Sequence, residues 1–480
     1  MTKGVMWTAL DKYSGFFSTL ITSMVLARLL SPYEFGIVAT ASVLLAFLTI
    51  FTNIGLAPAI IQRKDLDLDD YNKIFTFTIL MGFVMGGISF CSSWYIANFY
   101  NDKLLIPIVQ VLSVGLFLSS INIVPAALMA KNFRFREMAT RSIAFKVIFG
   151  IIGVVSAFYG AGVYALIFPQ ILASLCTFFY NNHFYKVRIA KNFNLEPIKK
   201  IFSYSVYVFL SQVTNYFARN LDKIFIGKIL SAGALGYYDK SYRLMQLPMG
   251  YITSVITPVI QPIMSNLQDN MRAMAMNYTK IIKLIASLSF PVAVILYFSA
   301  DEVMTVLFGE QWLPAVPSFQ ILALSIPISL ICSPNGAIYQ ACNGTKPMFY
   351  FTLFGTLVIV LSFAIAAYCV GTIESFAWAW TINELISAIC SYYILFNVVM
   401  KQSLMPVFKS LFLPSISALL MTIIYILYDI SVPIISVPIV SLVLKMVIGV
   451  VFIFAFLAYT RQFNLFNYIK TKIQKNSNNV

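Results

Sequence analysis

The chain has 480 residues, of which 60% are hydrophobic and only 11% are charged. A soluble globular chain carries about 25% charged residues, so this composition excludes a soluble enzyme. The net charge of +15 would suggest a nucleic-acid partner if the chain were soluble, but a membrane protein uses such charge for topology.

Apolar runs bounded by charges, turns, Asn or Asp predict an all-α polytopic membrane protein with about fourteen spanning helices. In chain order they cover 13–30, 37–61, 74–98, 104–130, 142–159, 163–183, 202–230, 236–262, 280–299, 314–340, 348–370, 373–399, 404–428 and 432–459. The seventh and eighth runs contain several charges, so they are the weakest of the set.

The loop charges predict the orientation in the membrane. When alternate loops are assigned to one side, that side collects nearly every loop Lys and Arg, whereas the other side has Lys103 alone. Cytoplasmic loops carry this excess in bacterial membrane proteins. We therefore expect a multi-pass protein of the bacterial cytoplasmic membrane with both termini in the cytoplasm, and no nucleic-acid partner.

Two similar segments follow each other at an offset of about 200 residues. Ala27–Ser31 with Gly36 corresponds to Gly227–Ser231 with Gly236. If each repeat holds six helices, both insert with the same orientation, as in transporters built from two parallel bundles. The predicted domains are an N-terminal lobe 1–183, a basic cytoplasmic linker 184–200, a second lobe 201–400, and two extra helices with a basic tail 401–480.

The reactive residue types are sparse. The six cysteines lie within or beside apolar segments without a C-x-x-C pair, and His183 is the single histidine. Such cysteines are typical of small buried hydrophobes, and one histidine builds neither a metal centre nor a catalytic triad. No P-loop occurs either. The sequence therefore predicts neither an enzyme nor a bound metal or organic cofactor.

Several ionisable residues fall inside the predicted spans. An ionised side chain that faces lipid at mid-depth costs at least about 2.5–3.5 kcal/mol, so such groups usually face a partner or a watery cavity. The basic ones are Arg28, Lys146, Arg219, Lys223, Lys228, Lys240, Arg243 and Lys445. Arg28 and Lys146 lie near predicted helix ends, and we expect both to snorkel to the interface.

Most of these charges belong to the hairpin of the seventh and eighth predicted helices. Counting helical rise from a turn at 231–235 places Asp222 level with Arg243, and Lys228 level with Asp239. We expect these carboxylates to pair with the basic groups and hold them in place. The remaining basic residues of the hairpin leave a surplus of positive charge.

This surplus predicts an anion site, since Arg and Lys are the usual partners of phosphate. The candidate ligands of a diphosphate are Arg219, Lys223, Lys240 and Arg243. Gln212 and Asn215 recur on the same helical face as Arg219 and are expected to line the cleft. The alternative is a salt-bridged hairpin that binds no ligand.

Glu384 and Lys445 are isolated ionisable residues of the twelfth and fourteenth predicted helices. Either one is a candidate for coupling transport to H+ or Na+, because charged groups inside the membrane often mark ion pathways. The alternative is that they pair with each other or with a hydroxyl group.

A series of short segments, in order over most of the first 400 residues, carries a family resemblance. They are Gly4–Trp7, Val25–Leu30, Glu34–Gly36, Ile54–Ala57, Ile60–Lys64, Ala127–Met129, Phe133–Phe135, Leu235–Tyr238 and Leu307–Trp312. Together they resemble polysaccharide exporters of the multidrug/oligosaccharidyl-lipid/polysaccharide superfamily, in the branch of colanic acid and teichuronic acid exporters. This resemblance implies a V-shaped pair of six-helix bundles, similar to drug antiporters and the lipid II flippase, driven by a proton or sodium gradient.

The resemblance further implies a flippase that moves undecaprenyl-diphosphate-linked oligosaccharide units to the outer leaflet by alternating access, for a capsule, exopolysaccharide or O-antigen. Its expected partners are the bilayer, the lipid-linked oligosaccharide, and glycosyltransferases and a polymerase of the same pathway. One rival is a cation-coupled multidrug exporter of the same fold, which predicts an acidic cleft. Others are a membrane polymerase, which needs reactive groups on the outer face, and a scaffold for glycosyltransferases.

Overall fold

A computed structural model describes residues 2–53, 55–63, 65–190, 192, 194, 196–265, 267–431 and 437–460. These residues form helices and connecting loops, which confirms the predicted all-α membrane protein. Ten helices in this part of the chain are long and apolar enough to cross a membrane, and a bent pair makes eleven. Three further helices exceed the required length but are more polar, so the count of fourteen stays a prediction.

The chain divides into two compact units, Met1–Gly236 and Tyr237–Val480. Unit 1 contains α1 (Thr2–Leu29), α2 (Pro32–Asn53), α3 (Leu56–Gln62), α4 (Leu68–Tyr100), α5 (Leu105–Ile121), α6 (Ile123–Lys131), α7 (Phe135–Phe158), α8 (Tyr164–Tyr185), α9 (Glu196–Ile229) and the first turn of α10 (Ala232–Ser265).

Helix α9 belongs to unit 1, although the repeat assigns it to the second lobe. Tyr216 of α9 is buried, donates a hydrogen bond of 2.6 Å to the carbonyl of Val43 in α2, and packs against Phe47 with 5.3 Å between ring centroids. Burial of an aromatic ring with its hydroxyl paired explains why α9 adheres to α2. The predicted lobe boundaries at 183 and 201 stay a prediction.

The two copies of the repeated motif have the same local structure at the starts of α2 and α10. The hydroxyl of Ser31 accepts from the backbone N–H of Glu34 at 3.3 Å, and that of Ser231 accepts from Ala234 at 3.1 Å. Both serines therefore cap a helix N-terminus, which is the preferred place for this residue type. The shared motif thus encodes a helix start.

The glycines of the same motif lie where these two helix starts cross within unit 1. A Cβ atom on Gly36 would lie 1.6 Å from the carbonyl oxygen of Ala232, and one on Gly236 would lie 2.0 Å from that of Pro32. Backbone occupies the space that a side chain needs, so both positions require glycine.

Unit 2 continues α10 and contains the remaining helices. They are α11 (Met271–Phe298), α12 (Ala300–Phe308), α13 (Val316–Ala323), α14 (Ile326–Cys332), α15 (Asn335–Ala341), α16 (Thr345–Ile365), α17 (Ile373–Tyr393), α18 (Met405–Ser431) and α19 (Pro438–Tyr459). Prolines near the starts of α13, α14 and α15 interrupt the predicted tenth span, because proline lacks the N–H that would continue a helix. The span bends by 42° at the break between α13 and α14.

The two extra helices, α18 and α19, are integral parts of unit 2. Tyr425 of α18 is fully buried, stacks on Phe298 at 5.6 Å, and donates a 2.6 Å hydrogen bond to the carbonyl of Lys445 in α19. Gly449 allows close approach, since a Cβ atom there would lie 2.6 Å from the side chain of Ile295 in α11. This packing fixes both helices to α11.

Candidate functional site

The α9 members of the predicted site differ in exposure. Arg219 is exposed, whereas Asp222 is fully buried and accepts a 2.8 Å hydrogen bond from the backbone N–H of Lys223. Lys228 donates to the carbonyl of Phe99 in α4, and its ammonium group lies 4.7 Å from the centre of that ring. Of the two exposed cations among the predicted site residues of α9, Lys228 is engaged by α4, so Arg219 is the better placed to meet a ligand.

The predicted polar face of α9 lies on one continuous helix, so its members keep the spacing of three and four that places them on one face. Gln212 is half-buried. The side chain of Asn215 lies outside the described residues. The sugar-contacting role assigned to both stays a prediction.

On α10, Asp239 pairs with Arg243 one turn further along the same helix. The distance from Asp239 Oδ2 to Arg243 Nε is 2.6 Å, and the arginine side chain is 67% exposed. Lys240 is buried, with its ammonium group 4.8 Å from the ring centre of Phe308 and 5.4 Å from that of Trp312. Arg243 is thus the solvent-accessible α10 cation. The expected pairing of α9 with α10 charges joins different units and stays a prediction.

Glu384 of α17 lies beside a cavity of about 250 Å³ in unit 2. Its Oε2 atom accepts a 2.7 Å hydrogen bond from the hydroxyl of Ser329 in α14, which agrees with the predicted pairing to a hydroxyl. Neutral polar groups supply further oxygen atoms around the cavity, on Asn335, Thr352, Ser387 and Ser391. Carboxylate, hydroxyl and amide oxygens are the ligands of hard cations, so this cavity suits a proton or a small cation.

Lys445 is the centre of a second polar cluster in unit 2. Its ammonium nitrogen lies 2.7 Å from Glu302 Oε1 and 3.2 Å from Asp429 Oδ1, and it donates to the carbonyl of Phe298 at 2.7 Å. The alternative prediction that Lys445 pairs with Glu384 is wrong. The reason is that α12 begins directly after α11, and this brings Glu302, which counted as a loop charge, next to α19.

Asp301 gives this cluster a dependence on pH. Partial burial raises the pKa of Asp301, neighbouring Glu302 raises it further, and Lys445 lowers it. Because the folded pKa lies above the unfolded one, the folded protein binds the proton more tightly. Ionised Asp301 therefore costs stability above its folded pKa, and the cost vanishes as the pH falls below the unfolded pKa.

Asp301→Asn is accordingly expected to raise the melting temperature slightly at about pH 7, because Asp301 is exposed and water screens its charge, and to have no effect at about pH 3. Melting curves of both proteins against pH provide the measurement. Asp102→Asn is the contrasting variant and is expected to lower the melting temperature, since Asp102 accepts hydrogen bonds from Tyr33 at 2.6 Å and from the backbone of Leu104 at 3.0 Å. An Asp301→Asn effect that is the same at both pH values would contradict this account.

One site was missed by sequence analysis. Helix α7 begins at Phe135, seven residues before the predicted span, so Arg141 lies inside a helix and not in a loop. Together with Lys146, it lines a slot of about 350 Å³ between α1, α7 and α8. The signal in the sequence was two basic residues followed by Gly150 and Gly153, which permit close helix packing.

Comparisons with known proteins agree with the family resemblance that the sequence motifs carry. Residues 25–317 match the family model described as polysaccharide biosynthesis protein. Teichuronic acid biosynthesis protein TuaB of Bacillus subtilis (strain 168) is 25% identical over 414 residues, which are 86% of this chain and 85% of TuaB. Succinoglycan biosynthesis transport protein ExoT of Rhizobium meliloti (strain 1021) is 23% identical over 433 residues, 88% of this chain and 85% of ExoT.

Among solved structures, lipid II flippase MurJ in an inward closed conformation superposes with a TM-score of 0.76. The match covers 96% of this chain and 99% of MurJ at 14% sequence identity, and it shows a shared fold. The predicted similarity in fold to the lipid II flippase is confirmed.

Proposed function

Because the chain belongs to the polysaccharide biosynthesis protein family, we propose that it is a flippase for lipid-linked oligosaccharides. The observation that carries this proposal is the family match over more than half of the chain, on a fold shared with a lipid II flippase along 96% of its length. The proposed cargo is an undecaprenyl-diphosphate-linked repeat unit. It moves from the inner to the outer leaflet of the bacterial cytoplasmic membrane by alternating access.

The cargo needs two environments at once. Its diphosphate and sugars require hydrated polar groups, whereas its polyprenyl chain remains in lipid. In the proposal, the diphosphate is neutralised by Arg219, Lys223, Lys240 and Arg243, and sugars or water contact Gln212 and Asn215. The exposure of Arg219 and the orientation of Arg243 by Asp239 support this assignment.

We further propose that transport is coupled to H+ or Na+ at Glu384. Its cavity and its hydroxyl partner support this role. Lys445 is the weaker coupling candidate, because two carboxylates already hold its charge. No bond of the cargo is made or broken, so the protein acts as a transporter and not as an enzyme.

Both termini lie in the cytoplasm, as the excess of basic residues in alternate loops indicates. Glycosyltransferases of the same pathway supply the cargo, and a polymerase consumes it outside. Nucleic acid is not a partner.

A leaflet assay tests the function and its cationic site. In a strain that lacks the gene, the lipid-linked oligosaccharide is expected to accumulate on the cytoplasmic side, and the wild-type protein restores its exposure outside. Arg219→Ala/Arg243→Ala is expected to reduce this rescue at least about tenfold, since each arginine donates charge-assisted hydrogen bonds. The matched control is Lys103→Ala/Arg136→Ala, which removes two exposed cations elsewhere and should rescue fully.

The results of this assay test the cationic site and the flippase function separately. Full rescue by Arg219→Ala/Arg243→Ala, with normal protein levels, would reject the cationic site and retain the flippase. Absence of accumulation in a strain without a second exporter would reject the flippase itself.

A further inference from the structure

The slot between α1, α7 and α8 has two chemically different ends. Its volume of about 350 Å³ lies within the range of about 300–1,000 Å³ that is usual for ligand pockets. The polar end is lined by Arg141, Ser142, Lys146 and Thr177. The apolar end is lined by Leu26, Gly153, Ala165, Leu166 and Pro169.

The two ends lie at different depths along the helices. With a rise of about 1.5 Å per residue, Arg141 lies about 9 Å from the start of α7 at Phe135, Lys146 about 17 Å and Gly153 about 27 Å from it. The expectation that Lys146 lies near a helix end is therefore wrong, because α7 begins seven residues before the predicted span. Helix α8 runs back beside α7, so Thr177 lines the shallow part and Ala165 the deep part. Cations in the half of α7 that is nearer Phe135 and apolar walls in the other half match the polarity of a lipid molecule.

The guanidinium group of Arg141 is held by the protein. It donates to Asn181 Oδ1, and the amide nitrogen of Asn181 donates in turn to Asn122 Oδ1 at 2.9 Å. An arginine has five N–H donors in a fixed plane, and the contact with Asn181 uses only part of them. A planar donor set fixed in this way is suited to phosphate oxygens.

Lys146 lies on the same side of the slot, against α1. Its ammonium nitrogen is 3.4 Å from Asp11 Oδ1, and a Cβ atom on Gly15 would lie 2.3 Å from it. Because Gly15 has no side chain, the ammonium group fits beside α1 at this position. Both members of the pair are substantially exposed, at 41% and 32%, so a stronger anion is able to compete with Asp11.

Close packing bounds the deep part of the slot. A Cβ atom on Gly150 of α7 would lie 2.6 Å from the hydroxyl oxygen of Thr22 in α1, and one on Gly153 would lie 3.1 Å from the carbonyl of Ala165 in α8. A lysine that merely snorkels needs only an interface. Snorkelling alone would not require the neighbouring arginine to be fixed by an amide, or an apolar channel beside the lysine. The slot has both features, so snorkelling does not account for it.

We propose that this slot binds a lipid through its phosphate, with Arg141 and Lys146 on the phosphate and one hydrocarbon chain along the apolar end. Basic pockets between membrane helices bind anionic lipid head groups by this chemistry. Two kinds of lipid carry a phosphate that fits this description. One is the polyprenyl diphosphate of the cargo, and this version rests on the proposed function; the other is an anionic phospholipid, which does not.

Lipid binding to the purified protein in an uncharged detergent, followed by native mass spectrometry, tests the slot. The probes are undecaprenyl diphosphate, dioleoylphosphatidylglycerol and the phosphate-free alcohol undecaprenol. Arg141→Gln/Lys146→Gln is expected to weaken binding of the phosphate lipid at least about tenfold. Its matched control is Lys103→Gln/Arg136→Gln, which neutralises two exposed cations outside the slot.

Two further variants separate a binding role from a structural one. Asp11→Asn removes the competing carboxylate and is expected to strengthen binding, an effect that a purely structural ion pair would not produce. Ala173→Phe fills the slot from α8 without changing its charge and is expected to weaken binding. Leu172→Phe, at the exposed neighbouring position, is its control.

Preference for undecaprenyl diphosphate would assign the slot to the cargo, and equal or stronger binding of phosphatidylglycerol would assign it to membrane phospholipid. The proposal is overturned if undecaprenol binds as well as the phosphate lipids, if none binds, or if the slot variants bind like the wild type. The leaflet assay on the wild-type protein is independent of this result. If the protein translocates cargo but binds no lipid in the slot, the proposed function is retained and the lipid-binding slot is rejected. If the slot binds a phosphate lipid but the protein translocates no cargo, the slot is retained and the flippase is rejected.

Discussion

Replacing Lys445 with methionine is expected to lower the free energy of unfolding by about 3 kcal/mol, the lower end of the range for breaking a buried ion pair. The lysine side chain is 6% exposed and its nitrogen lies 2.7 Å from Glu302 Oε1. Without it, the Glu302 carboxylate loses its cationic partner in a site that is only 14% exposed, and the carbonyl of Phe298 loses its donor. Asp429 adds little, because water screens a side chain that is 45% exposed.

The melting temperature of the purified protein, followed in one detergent, measures this effect. Lys445→Met/Glu302→Gln is expected to recover most of the loss, since removing both charges leaves no uncompensated ion. Lys409→Met, which removes an exposed lysine from α18, is the matched control and should change little. If the single and double variants were equally unstable, the packing of the lysine stem and not its charge would hold α19 to α12.

The positions of the helices were largely predictable, because uninterrupted apolar runs have few alternatives in a membrane. The helix ends were less so. Helix α4 was predicted over 74–98 but extends from Leu68 to Tyr100, since Asp67 and Asp70 form a capping box and Asn101 ends the helix in a left-handed conformation. These ends are polar, and a hydropathy criterion omits them. For the same reason, the hydropathy criterion omitted the first turns of α7 and placed Arg141 in a loop.

The polar contacts were less predictable than the helices. The pair Asp239 and Arg243 is local, at a spacing of four on one helix, and that spacing alone indicates it. The partner of Lys445 is Glu302, more than a hundred positions earlier in the chain, and only the packing of α19 against α12 brings them together. Depth within the membrane is too coarse a coordinate to identify such pairs, because many residues share one depth.

The crossing of α2 with the start of α10 provides the second large expected effect. Gly36→Ala is expected to lower the free energy of unfolding by about 3 kcal/mol, at the upper end of the usual cost of overpacking. The added methyl group would lie 1.6 Å from the carbonyl oxygen of Ala232, and a backbone atom cannot move aside as a flexible side chain does. Gly236→Ala is expected to act similarly, since its methyl group would lie 2.0 Å from the carbonyl oxygen of Pro32.

Two other helical glycines serve as matched controls for this prediction. A Cβ atom on Gly87 of α4 or on Gly250 of α10 would meet no atom within 4 Å. Alanine there is expected to raise the free energy of unfolding by about 0.5–1 kcal/mol, because it restricts the unfolded chain without a clash. Melting temperatures of the four variants in one detergent provide the comparison. If Gly36→Ala behaved like Gly87→Ala, the two helix starts would not be in backbone contact, and the repeated motif would encode only the serine caps.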